Sequence, residues 1–273
     1  MTGETQSGLR AELLFIDPAG PAPMLHLAKP SEPDPVKTLG SFVPVEVTIR
    51  DGRPLTGRTT LDEEGFVFVR HASAVTDFYD DAQIRERYYP EMAALVRRLT
   101  GARKAVVFDH TVRGTQAGPR GGIEVELPSD MMHCDFTPRA ALETLDWLIP
   151  PAERAALNCG RIVQLNLWRP IAAPLRTMPL AVCDARSIHP EDCIATPLVR
   201  PDFASEFVTL AHDPGQHWFY LPAMRTDEVI VFKNYDSDPA KSPYAIHGAF
   251  ADPTTPTDAL PRESIEVRAF AAI

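Results

Sequence analysis

Apolar and polar residues alternate along most of this chain, in short runs broken by Pro and Gly. In "FVPVEVTIRDGRP", Val43, Val45, Val47 and Ile49 alternate with Pro44, Glu46, Thr48 and Arg50 before Asp51-Gly52. That period of two reads as a strand ending in a hairpin turn, with "GFVFVRH" as its expected partner. Pro44 cannot donate to a ladder, which suits a strand's start or a sheet edge. From Asp81 to Leu99 the period lengthens: Ile84, Tyr88, Met92, Leu95 and Leu99 share one helical face, and Gly101 closes the run. Pro90 can split that helix. A second helical region, "RAALETLDWLIPPAERAALN", is interrupted at Pro150-Pro151.

The remaining segments are β-rich, from "KAVVFDHTVR" and "GGIEVELP" to "RIVQLNLWRPI", "PLAVCDA", "FVTLAHD", "HWFYLPAM", "DEVIVFKNYDS" and "ESIEVRAFAAI". Residues 1–42, ending near "AKPSEPDPVKTLG", are rich in loop formers and read as a Pro-rich surface arm within a single domain spanning 1–273. Many short strands with polar turns and two helical regions predict an α+β, mainly β fold. Its core is expected to be an antiparallel sandwich or barrel such as a jelly roll, the double-stranded β-helix, with flanking helices.

Composition narrows the function classes. With 273 residues, 44 % of them hydrophobic, the chain can bury a substantial core. A net charge of −10 without a Lys/Arg stripe argues against nucleic acid as a partner. No uncharged apolar run is long enough to span a bilayer, and "MTGETQSGLRAELLF" has no leader-like pattern, so a cytoplasmic protein without a membrane partner is expected. Cys134, Cys159, Cys183 and Cys193 form no CxxC pair and read as free thiols.

Candidate chemistry centres on "PSDMMHCDFTP". In an extended strand His133 and Asp135 project to one face and Cys134 to the other. By itself a His-x-Asp among eight histidines reads better as a hydrogen-bonded structural pair. An iron site of the two-His-one-carboxylate type also needs a distal His, a basic anchor for an acidic cosubstrate and open coordination positions. The distal His is available as His247 in "SPYAIHGAF". In "PRESIEVRAF", Arg262, Ser264, Glu266 and Arg268 alternate with Ile265, Val267 and Ala269, and Arg-x-Ser on one strand face can clamp a carboxylate.

With these residues assembled, the chain resembles the AsaB/CmcJ-type hydroxylase and desaturase family, a branch of the non-haem Fe(II)/2-oxoglutarate-dependent oxygenases of secondary metabolism. The resemblance is carried by "MMHCDFTPRAA", "NLWRPIAAPLRTMPLAVCDARSI", "HWFYLPAMRTDEVIVFKNYDS", "HGAFADP" and "PRESIEVRAF". It implies iron ligands at His133, Asp135 and His247, with 2-oxoglutarate and O2 as cosubstrates. It puts the 2-oxoglutarate anchor in "RESIEVR", with Arg262 and Ser264 favoured over Arg268. The implied activity is hydroxylation or desaturation of a small-molecule natural-product intermediate.

Other residues carry two readings. Asn166 or Arg169 lines the cosubstrate pocket, or Arg169 simply bridges to a carboxylate. Tyr220, Met224, Lys233 and Tyr235 shape the substrate pocket, or they belong to the core; Lys233 in "VIVFKNY" needs either a ligand or a carboxylate to offset its burial. His189 and Glu191 repeat the His-x-carboxylate spacing, but Pro190 makes that segment a loop. His110, His212 and His217 read as structural. A zinc hydrolase shares the donor set without needing Arg-x-Ser, and a metal-free small-molecule-binding β-sandwich needs neither. The sequence is silent on assembly; a homodimer is the state to test.

Overall fold

The computed structural model describes residues 8–27, 36–157, 160–200 and 203–273. The expectations for the extreme N-terminus, for the proline cluster at 28–35 and for Cys159 lie outside the described residues.

Two sheets form the frame of the described residues. One has seven strands, running Phe66–Arg70, Glu228–Asp236, Ile162–Pro170, Glu263–Ala272, Lys104–Gly114, Ile123–Glu126 and Gly118–Arg120 from edge to edge. The other has ten, with Trp218–Tyr220, Leu180–Cys183, His247–Ala249, His133–Cys134 and Phe203–Leu210 adjacent at its centre. Phe66, Trp168, Ile230 and Phe232 of the first sheet meet Leu180, Val182 and Phe219 of the second in one apolar cluster, so the sheets pack face to face as a jelly roll with flanking helices.

Strand alternation in the seven-stranded sheet sets what each face does. Val163, Leu165 and Leu167, with Ile265, Val267, Ala269 and Ala271, pack outward against Tyr88, Met92, Leu95 and Val96 of the long helix. The intervening residues face inward. At one end Trp168 joins the inter-sheet cluster, and at the other Ile162, Phe270 and Ala272 meet Ala141, Leu145 and Leu157 of helices Pro138–Leu148 and Pro151–Leu157. Between those apolar ends the same inner face carries Gln164, Asn166 and Arg268, with Glu266 beside Trp168 and Ser264 just beyond it. A polar strip therefore lies inside the sandwich.

The long helix covers the predicted span but in three pieces: Asp81–Gln83, a wide π turn over Ile84–Tyr88, and Tyr89–Thr100. Pro90 lies in the first turn of the last piece, where its missing N–H removes a bond to the preceding turn; the Tyr89 N–H instead reaches the Ile84 carbonyl. Gly101 ends the helix with φ 71°, and its N–H returns to Arg97 O.

One expectation is overturned, and one segment carries more regular structure than expected. The proposed hairpin does not form: Phe42–Asp51 pairs with Leu9–Ile16 and with Trp218–Tyr220, whereas Phe66–Arg70 pairs with Glu228–Asp236 in the opposite sheet. Gly52 has φ −80° and leads into a short 3-10 turn, so Asp51-Gly52 lacks the positive φ that a tight hairpin turn requires. The arm is also not all loop. Ala11, Leu13 and Phe15 bury one face of Leu9–Ile16 against the Phe42–Asp51 strand, following an alternation already visible in "LRAELLFI". Among the described residues, no helix is long and apolar enough to cross a membrane.

Candidate metal centre

Two cross-strand pairs face each other through the sandwich. In the ten-stranded sheet His133 and His247 are direct partners, and in the seven-stranded sheet Asn166 and Arg268 are direct partners. Asp135, just past the end of the two-residue strand His133–Cys134, lies between them. The His247 strand approaches closely because its next residue is Gly248; a Cβ there would stand 2.8 Å from Met131 O and 2.3 Å from Met132 Cε.

The donor atoms of His133, Asp135 and His247 all lie within 4.8 Å of one another. Asp135 Oδ1 is 3.4 Å from His133 Nε2 and 3.8 Å from His247 Nε2. The opposite ring nitrogens face backbone carbonyls, His133 Nδ1 at 2.8 Å from Met131 O and His247 Nδ1 at 3.3 Å from Ala245 O. An Nδ1–H donated to a carbonyl leaves Nε2 with its lone pair toward the common point. The other carboxylate oxygen, Oδ2, accepts from Asn166 Nδ2 and Arg268 Nε, each at 2.8 Å.

Charge at the centre suits a cation. Burial would raise the Asp135 carboxyl, but the Arg268 guanidinium and the two histidines hold it well below the usual carboxylate range. Burial, with His133 alongside, pushes the His247 imidazole down to about 3. Two imidazole nitrogens and one carboxylate oxygen on a single side of a point form the donor set of a facial iron site. The residues fit Fe(II).

The adjoining cavity is lined by all three residues together with Trp168, Leu180, Arg262, Glu266, Arg113, Ser129 and Gly248. Arg262 is 2 % exposed. It donates to Ser264 Oγ at 3.2 Å and to Met178 O at 2.6 Å, and its guanidinium lies 5.2 Å from the Trp168 ring centre. Among the described residues no carboxylate lies within ion-pair distance of it; burial and the neighbouring Arg113 pull it down to about 9. A buried cation without an anion, opening on the same cavity as the three donors, fits the carboxylate end of 2-oxoglutarate.

The remaining sequence candidates separate. Arg268 is not at the cavity wall; it ties Asp135 to Glu266 at 2.8 Å and to Asp109 at 2.9 Å. Asn166 likewise meets Asp135, and so acts behind the centre. Arg169 has the opposite strand parity and faces the long helix, donating to Thr226 O and lying over the Tyr88 ring, so it lines no cosubstrate pocket. Tyr220 packs on Phe250, Met224 fills the inter-sheet cluster and Tyr235 sits beneath the 138–157 helices. Lys233 faces the outer side, bonded to Asp236 and to Ser242 O. None of these four borders the cavity at the metal centre.

His189 caps the 3-10 turn Pro190–Asp192 and Glu191 lies within it, outside any donor cluster among the described residues. His212 packs against Phe15, and His110 meets Tyr89 Oη at 2.8 Å. Cys134 is fully buried, with Sγ 3.2 Å from Asn234 Oδ1. The sequence reading did not single out Arg113, Ser129 or Glu266 as cavity residues. For Glu266 a signal existed, since it shares the parity of Arg262, Ser264 and Arg268.

Comparisons with known proteins give the enzyme class of similar chains. A family model described as "Oxidoreductase/YMDC permease-like domain" matches residues 13–272. The chain is 35 % identical over 267 residues to the Fe(II)/2-oxoglutarate-dependent dioxygenase nvfI of Aspergillus novofumigatus, covering 94 % of each. It is 30 % identical to the hydroxylase/desaturase efuI of Hormonema carpetanum, covering 81 % of each. Among solved structures, the iron and alpha-ketoglutarate-dependent endoperoxidase NvfI superposes with a TM-score of 0.85 at 32 % identity, over 98 % of this chain and 99 % of that one.

Proposed function

Because the chain belongs to the Fe(II)/2-oxoglutarate-dependent dioxygenases and hydroxylase/desaturases of natural-product biosynthesis, we propose that His133, Asp135 and His247 hold its iron and that Arg262 with Ser264 anchors its 2-oxoglutarate. The observation that carries the ligand reading is the split role of Asp135, one oxygen bound by Arg268 and Asn166 and the other turned toward both histidine Nε2 atoms. Support for the anchor is the buried, unpaired Arg262 on the same cavity.

In this reading the residues divide the work. Arg262 and the Ser264 hydroxyl orient the distal carboxylate of the cosubstrate. Trp168 covers the guanidinium and Leu180 supplies an apolar wall, which excludes water and strengthens the charge pairing. His133, Asp135 and His247 would hold the metal through two imidazole nitrogens and one carboxylate oxygen, a donor set that would leave positions for the keto-acid group and O2. Bound Fe(II) supplies the redox chemistry that the polypeptide lacks, coupling decarboxylation of 2-oxoglutarate to succinate with oxidation of the substrate.

The substrate is a small molecule, and the proposed outcome is hydroxylation, desaturation or another oxidative remodelling. The similar NvfI is named as an endoperoxidase, so oxygen insertion belongs among the products to be sought. We further propose a single-domain cytoplasmic enzyme, with a homodimer as the assembly to test by sedimentation.

Anaerobic addition of Fe(II) and then 2-oxoglutarate tests the reading. A weak visible charge-transfer band is expected, absent after His247→Ala, and aerobic succinate release should depend on iron. Zinc instead of iron in the purified protein, with no succinate formed on iron loading, would sink it in favour of a hydrolase.

A further inference from the structure

We propose that Arg268 and Asn166 are positioning residues that hold Asp135 to one-oxygen coordination, keeping open the coordination position that a chelating carboxylate would take. The inference rests on the ligand assignment above. A carboxylate at a metal can bind through one oxygen or through both. Bound through both beside two histidines, it would leave too few positions for a chelating keto acid and O2 together.

The structure restrains this choice from the opposite sheet. Asp135 Oδ2 accepts two donors at 2.8 Å, so both are well placed to hold that oxygen away from a metal, while Oδ1 faces the histidines. Neither donor is free to swing. The Arg268 guanidinium is fixed at Nη1 by Asp109 at 2.9 Å and Thr111 Oγ1 at 3.2 Å, and at Nη2 by Glu266 at 2.8 Å. The Asn166 amide is oriented by Gln164, whose Nε2 donates to Asn166 Oδ1 at 2.9 Å. Asn166 and Arg268 are also direct cross-strand partners, so the ladder sets their mutual spacing. A two-stranded platform thus presents a matched pair of donors to one oxygen of a ligand carried by the facing sheet.

Asn166→Ala removes one donor with little change in charge. Arg268→Gln removes the stronger donor and the cation, and Arg268→Lys keeps the cation while losing the planar fork. Each full-length variant is loaded anaerobically with Mn(II), and the waters on the bound ion are counted by pulsed electron paramagnetic resonance in oxygen-17 water. Wild type should show about three exchangeable waters, and Asn166→Ala and Arg268→Gln about two, with Arg268→Lys between. Thermal unfolding identifies variants that retain the fold, and Asn166→Ala is the milder change if Arg268→Gln does not fold. An unchanged water count in a folded, Mn(II)-loaded Asn166→Ala or Arg268→Gln protein overturns the proposal. Failure of the ligand assignment looks different: His247→Ala would then bind Mn(II) as wild type does.

Discussion

Two charged clusters, each built on buried groups, lie on opposite faces of the same sheet, and they differ in whether their bonds close. On the outer side Lys233 meets Asp236 and Ser242 O, Arg161 bridges Asp236 and Asp62 at 2.5 and 2.6 Å, and Lys241 meets Asp62 at 3.2 Å. Each charge there has its counter-charge. On the inner side Asp135 Oδ1, both histidine Nε2 atoms and the Arg262 cation converge on a cavity without a full set of protein partners. Buried polar groups left open cost stability, so an open cluster points to a missing ligand and a closed one to architecture. Burial of a charge does not by itself separate the two.

The sharpest break in this comparison comes from the open cluster. His133→Ala or His247→Ala should abolish succinate release while moving the melting temperature of the metal-free protein little. Asp135→Ala should abolish it too but also cost stability, because Arg268 loses a buried ion-pair partner, whereas His189→Ala should retain activity. Succinate assays with thermal scans check this, and loss of iron in His189→Ala but not in His247→Ala would refute the assignment.

Next in size is the anchor. Arg262→Ala should raise the apparent KM for 2-oxoglutarate by about a hundred- to several-thousand-fold, the equivalent of roughly 3–5 kcal/mol for a buried carboxylate that loses its cation. Ser264→Ala should do less. Steady-state kinetics at varied 2-oxoglutarate decide it, and a silent Arg262→Ala would move the anchor elsewhere.

The closed cluster should respond in stability. Lys233→Met leaves Asp236 with fewer cations and should lower the unfolding free energy by about 3 kcal/mol, the lower end for a broken buried pair. Succinate and product should fall together, in proportion to folded protein. Retained cosubstrate consumption with lost product would instead return Lys233 to the substrate pocket.

The smallest expected effect is on acid stability. The hydrogen bond from Arg161 leads the interactions that hold Asp62 down to about 2, against 3.8 for a free aspartate. A depressed folded value means stability present above pH 3.8 and lost as pH falls through about 2. Asp62→Asn should therefore flatten the acid limb of a stability–pH curve in that window. An unchanged limb would show that Asp62 adds nothing to the network.

Much of the inner cluster was legible in the chain. Alternation in "PRESIEVR" placed Arg262, Ser264, Glu266 and Arg268 on one face, and "HCD" placed His133 and Asp135 together. Which arginine meets the cavity was not legible, because parity gives both the same face and only position along the strand separates them. Arg262 lies at the strand's beginning beside Trp168, and Arg268 lies farther along, opposite Asn166. For Tyr220, Met224, Lys233 and Tyr235 the sequence offered apolar strands with a charge or a ring, a description that fits core and pocket alike. In the last case a register shift opposite Gln164 and Leu165 altered the parity before Tyr235.

Local rules determined what one strand or one helix could express by itself: the long helix and its break before Pro90, the alternating strands, and the mainly β class. These follow from backbone sterics and from the period of apolar residues, which act over a few neighbours. Tertiary structure alone decided that Phe42–Asp51 and Phe66–Arg70 join different sheets, that His247 pairs with His133, and that Arg161 and Asp62 close around Lys233 while Arg262 stays open. Those outcomes depend on contacts between residues far apart in sequence, whose free energies are set by mutual geometry and burial that no local window contains.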